Sequence, residues 1–139
     1  MNTTPKRENW IRRIRLGDSV ATAAQITLES RLKTTEHFLR LAALRFQETP
    51  EHVHQLRVST RRSIAALRMY ESLLPKKRAK WFRDRLRRIR KAAGEARDLD
   101  VFLQRFEKDQ HSPHFRDLKL DIARRRRRAQ RPIARMYQK

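Results

Sequence analysis

His54, Arg57, Arg61 and Arg68 follow one another at steps of three, four and seven residues, in and just after the run His54-Gln55-Leu56-Arg57-Val58-Ser59-Thr60-Arg61-Arg62. At about 100° of rotation per residue, those steps bring all four into a stripe about 60° wide on one side of a helix. Arginine offers a fork of N–H donors suited to anionic oxygens, and histidine adds a donor and a charge. Heads aligned along a helix axis match an extended polyanion, such as a linear chain of phosphates. Val53, Leu56, Thr60, Ser63, Ile64, Leu67, Tyr70 and Leu74 form the adjoining face, broad enough to be a core. The cations therefore flank the core and point into a groove between helices, whereas solvated charges usually lie opposite it. Spacing alone leaves a second reading open: a partly buried histidine beside arginines that only keep the bundle in solution.

The elements that must position these residues are helical. The chain has 139 residues, 38% apolar and 37% charged, enough for one domain with a core and too few for two. Two glycines in the whole chain argue against hairpins, which need residues tolerant of positive φ. A basic lead-in occupies residues 1–17, and a bundle of about four long antiparallel helices is expected over residues 18–139. The first helix spans about Asp18 to Gln47, with Asp18 or Ser19 as N-cap and Val20, Ala24, Leu28, Leu32, Leu39, Ala43 and Phe46 as its apolar positions. Thr49-Pro50-Glu51 restarts the chain, and the second helix should run from Pro50 to Leu74, stopped by Pro75. A third, from Lys76 to Ala93, buries Phe82, Leu86, Ile89 and Ala93, with Gly94 as C-cap or kink. A shorter piece from Leu99 to Lys108 carries Val101, Phe102, Leu103 and Phe106. The last helix, from His114 to Tyr137, has Leu118, Ile122, Ala129, Ile133 and Met136 on one side, and Pro132 should kink it or end it early.

Charge narrows the class of partner. There are 36 Lys+Arg against 15 Asp+Glu, a net charge of +21. Such self-repulsion predicts a protein stabilised by a bound polyanion. The absence of cysteine excludes disulfides, thiolate metal sites and cysteine nucleophiles. No apolar run reaches membrane-spanning length, and the N-terminus lacks the apolar core of a secretion signal, so a cytoplasmic protein without membrane insertion is expected.

The motif around His54 resembles that of the CHAD family, the conserved histidine α-helical domain. The resemblance continues through Leu86-Arg87-Arg88-Ile89-Arg90-Lys91-Ala92-Ala93-Gly94-Glu95-Ala96-Arg97-Asp98-Leu99-Asp100-Val101. That stretch is similar to the family's second motif, in which basic residues lead into glycine and then Arg-Asp-x-Asp-Val. The resemblance implies a helical fold that binds inorganic polyphosphate, with members associated with polyphosphate granules. It assigns His54, Arg57, Arg61 and Arg62 as anion ligands from the first motif and Arg97 from the second, with Arg90 and Lys91 in support. Asp98 and Asp100 would orient Arg97 and cap the following helix. Ser63 and Ile64 stand where many members carry leucine then arginine. The family fold is usually two related bundles around a basic channel, and this chain has sequence for about one. Either the chain is naturally short, or it is a fragment of a longer protein, or two copies associate; a homodimer formed with polyphosphate present is the expectation.

Arg124, Arg128, Arg131 and Arg135 share one helical face, and part of this stripe, Arg128 and Arg131, is added to the expected anion site alongside Arg68. His37, His52, His111 and His114 make no defensible metal site, and no cofactor is implied. The aromatic residues, Trp81 and Phe82 included, sit at core or amphipathic positions, leaving few platforms for base stacking. The expectation is non-enzymatic polyphosphate binding. The alternative is a basic helical nucleic-acid-binding protein, with nucleic acid otherwise only a non-specific competitor. A phosphotransfer role for His54 ranks last, since no metal ligands or positioned base accompany it.

Overall fold

In the computed structural model, residues 11, 13–107 and 115–138 are described, and among them every regular element is a helix. The elements are α1 (Val20–Leu44), α2 (Glu51–Met69), a 3-10 turn (Glu71–Leu73), α3 (Lys76–Ala92), α4 (Gly94–Phe106) and α5 (Phe115–Gln138). The all-α bundle expected from periodicity is what the chain forms. Trp10, Lys108, His111 and His114 lie outside the described residues.

Ser19 starts α1 by accepting a hydrogen bond from the Thr22 N–H at 3.1 Å, satisfying one of the orphan donors of the first turn. Thr49 does the same for Glu51 at 3.2 Å. The α1–α2 interface is built from small side chains, Ala24, Thr27, Thr35 and Ala42 against Ser59, Thr60, Ser63 and Ala66, all buried. Ser63 is fully enclosed, bonded to Thr35 at 2.9 Å and donating to the Arg31 carbonyl at 3.0 Å. The serine that departs from the family motif is therefore the point where α1 and α2 are tied. Thr27 meets Tyr70 and Thr35 meets Ser63, so the two helices run antiparallel.

The core has two parts. Ala42, Val53, Leu56, Ile89, Ala93, Ala96, Ala129 and Ile133 join all five helices at one end. Ile64, Leu67 and Leu86 form a smaller cluster with Leu28, Leu32, Leu74 and Phe82 packed against it. Each enclosed Leu, Ile or Val contributes about 1.5–3 kcal/mol.

Several boundaries differ from expectation. α2 stops at Met69, because Pro75 forces Leu74 into extended backbone (φ −108°, ψ 145°) and the intervening residues tighten into a 3-10 turn. Gly94 neither caps α3 in the left-handed region nor precedes a loop; it is the first residue of α4, five residues ahead of the expected start. α5 continues through Pro132, whose ring is exposed, so the carbonyl it leaves unbonded is open to water. Val20, Phe102, Leu118 and Trp81 are exposed, not buried. Val20 is the first residue of α1, and Leu118 belongs to the opening turns of α5, whose buried positions begin only at Ile122.

One charged group enters the interior with its partner. Arg126 donates from Nε to Asp100 Oδ1 at 2.6 Å and from Nη1 to Gln130 at 3.2 Å, and its guanidinium lies 5.3 Å from the Phe46 ring centre. Gln130 in turn donates to the Ala42 carbonyl at 2.6 Å. Asp100 and Arg126 are each only 6% exposed. Burial pushes the Asp100 carboxyl above its ordinary value even against the pull of Arg126. Asp100 thus neither orients Arg97 by a hydrogen bond nor caps a helix; it locks α4 to α5. Asp98 is exposed within α4.

At the α1–α2 turn, Nε2 of His37 and of His52 are buried without a hydrogen bond, and His52 Nε2 lies 3.6 Å from Glu48 Oε2. Burial, then His52 and Arg40, hold the His37 imidazole below its ordinary 6.5.

Two outcomes are expected. Asp100→Ala strands a buried guanidinium and should lower the unfolding free energy by about 3–5 kcal/mol in urea titration. Because the folded state disfavours His37 protonation, the unfolded chain takes up the extra proton as pH falls through 6.5, so stability is lost on that descent and levels off below the folded value. His37→Gln should flatten that part of the stability–pH profile.

Candidate functional site

α2 turns one flank to α1 and the core and leaves the other facing α3 and α4. Four residues of the free flank, His54, Arg57, Val58 and Arg61, line a cleft of about 460 Å³ whose opposite wall is Arg90 near the end of α3 and Arg97 in the first turns of α4. The helical steps that place His54, Arg57 and Arg61 in one stripe therefore deliver them to one concavity. His54, Arg57 and Arg97 are half-buried, while Arg61 and Arg90 stand exposed at the rim.

Arg57 is fixed against the opposite wall. Its Nη1 donates to the Arg90 carbonyl at 3.3 Å, at the C-terminal end of α3, where the helix dipole favours a cation. Among the described residues no carboxylate forms an ion pair with His54, Arg57, Arg61, Arg90 or Arg97. Elsewhere on the surface arginines do pair: Arg83 with Glu71, Arg87 with Asp84, Arg125 with Asp121. Nor do three His, Asp or Glu side chains converge to hold a metal among the described residues.

The other assigned residues are not brought into this lining. Arg68 continues the same stripe but lies nearly two helical turns beyond Arg61 and is exposed. Arg62 falls on the other flank of α2, where its charge, after burial, lowers the Arg31 pKa. Lys91 is exposed, turned by about 100° from Arg90. Arg128 and Arg131 are exposed on the side of α5 opposite its buried positions Ile122, Arg126, Ala129 and Ile133.

Two participants were missed. Val58 supplies an apolar wall, and its position four residues after His54 was the available signal. Gly94 lies under Arg57, a tertiary contact that no local pattern reveals.

No helix of the described chain is long and apolar enough to cross a membrane. Comparison with curated proteins finds no match, and comparison with solved structures finds none. The family model of the CHAD domain matches residues 28–139, a span that holds all five helices except the opening turns of α1, together with every residue of the cleft. The chain therefore belongs to the CHAD family, whose domain is helical and is associated in general with polyphosphate binding.

Proposed function

We propose that this protein binds inorganic polyphosphate in the cleft between α2 and the α3–α4 junction, and that binding is its whole chemistry. The observation that carries the reading is the convergence of His54, Arg57, Arg61, Arg90 and Arg97 on one concavity, where among the described residues no carboxylate forms an ion pair with them. Water and counterions screen such a cluster in the free protein, and a chain of phosphates releases them while offering several oxygens to each guanidinium. Catalysis of phosphoryl transfer needs carboxylate-held metal or a positioned base, and the lining offers four arginines, a valine and a histidine that no carboxylate orients among the described residues. The proposal includes a cytoplasmic location at polyphosphate granules.

A second reading, nucleic acid as the polyanion, is favoured by Trp81, which is 59% exposed on α3 among Lys77, Arg78, Arg85 and Arg88. Among the described residues the exposed aromatic side chains are few, Trp81, Phe102 and Tyr137 on three different helices, a thin platform for stacking, so polyphosphate remains first.

The arginine pairs separate a site from diffuse attraction. Arg57→Ala with Arg61→Ala should weaken binding of long-chain polyphosphate by about 3 kcal/mol, since each charge-assisted contact contributes about 1.5–3 kcal/mol before screening. Arg128→Ala with Arg131→Ala should cost less than about 1 kcal/mol, the worth of exposed charge. Equal losses from the two pairs, read by calorimetry at physiological salt, would show that no site exists.

Competition settles the anion: at equal phosphate concentration, polyphosphate should displace DNA, and DNA displacing polyphosphate would make the second reading the correct one. Release of orthophosphate from polyphosphate would contradict binding as the whole chemistry.

The proposal extends to assembly. Arg61 and Arg90 are exposed at the rim, so a second copy would close the cleft over a bound chain and reduce screening of its contacts. Sedimentation with and without long-chain polyphosphate is expected to show a homodimer when the anion is present. A compact monomer in both conditions, binding with full affinity, removes the dimer.

A further inference from the structure

The two glycines of this chain have different surroundings. A methyl group built on Gly17 would meet nothing within 4 Å, whereas one built on Gly94 would come within 3.3 Å of Arg57 Nη1. That is inside an ordinary contact distance of about 3.5–4 Å. Gly94 has no positive φ, so its backbone does not call for glycine. It opens α4, where alanine is the better helix former. What glycine supplies here is room.

The room is used by Arg57. With no side chain at position 94, its guanidinium crosses the α3–α4 junction, and the same Nη1 reaches the Arg90 carbonyl at 3.3 Å. That bond holds one edge of the guanidinium against the far wall. The remaining N–H groups are left for an anion, with the side chain already ordered before binding.

We infer that Gly94 is a positioning residue of the anion cleft, holding Arg57 in its binding orientation by the absence of a side chain. The inference rests on the proposed polyphosphate site and adds to it a residue that carries no charge and cannot itself contact the anion through a side chain. A methyl group at position 94 makes the guanidinium give by a few tenths of an ångström, which weakens its already long 3.3 Å bond to the Arg90 carbonyl, and a larger group displaces it further. Loss of an ordered arginine contact is worth about 10-fold or more in affinity, and partial displacement a fraction of that.

The test is a cycle of variants read by calorimetric titration with long-chain polyphosphate at fixed salt, alongside thermal melting. Gly94→Ala should weaken binding about three- to tenfold and Gly94→Val more, while Gly94→Ala leaves the melting temperature unchanged or raises it by a few degrees. In an Arg57→Ala background the same Gly94→Ala change should alter affinity by less than about twofold, because the group it displaces is gone. Wild-type affinity in Gly94→Ala, or an equal loss in both backgrounds, overturns the role of Gly94 and leaves the site standing. A wild-type chain that does not bind polyphosphate at all overturns the site, and this inference with it.

Discussion

Repulsion between like charges is the constraint that the fold has to contain. A net +21 on 139 residues leaves the bundle no slack for unneutralised charge in its interior, and its apolar core is modest. Among the described residues the one buried arginine, Arg126, is admitted with a carboxylate 2.6 Å away, an amide, and an aromatic face. Many other cations among the described residues are exposed, some of them paired within about a helical turn with an acid, as Lys33 with Glu29 and Arg125 with Asp121. Against that pattern the cleft is the exception. Its arginines are gathered, partly shielded from water and, among the described residues, without an ion-paired acid, an arrangement that raises the energy of the free protein and that a bound anion would relieve.

The geometry of α2 makes the exception possible. Small residues toward α1, with Ser63 and Thr35 bonded across the interface, let α1 lie close along one flank. Leu56 and Val53 reach the shared core, and the remaining flank looks across open space at the end of α3. Binding residues and packing residues therefore alternate along a single helix, and the stiffness of the packed side is transmitted to the cationic side.

Much of this was legible because helical periodicity is a strong signal. It placed α1, α2 and α3 to within a few residues and put His54, Arg57 and Arg61 on one line. Tertiary contact was not legible. Gly94 reads locally as a terminator, and only its place beneath Arg57 explains it. Arg126 falls on the apolar face of α5, four residues after Ile122 and three before Ala129, but its partner Asp100, 26 residues away, is a tertiary contact that no local pattern gives. Arg128 and Arg131 were joined to the site by charge, although the apolar positions of α5 already set them on the opposite side. Asp100 was read beside Arg97 because they are close in sequence; the helix carries its carboxylate inward instead.

Ala93 alone separates α3 from α4, and it is wholly enclosed in the core. Arg90 hangs from the helix before it and Arg97 from the helix after it. The bend at this one residue therefore sets the aperture between two of the cleft's cations, and what gauges the bend is the space the surrounding core cluster leaves for a single methyl group. Charge spacing in the cleft is thus governed from the apolar side. Changes among uncharged residues can thereby alter the distance between Arg90 and Arg97 while every arginine stays in place.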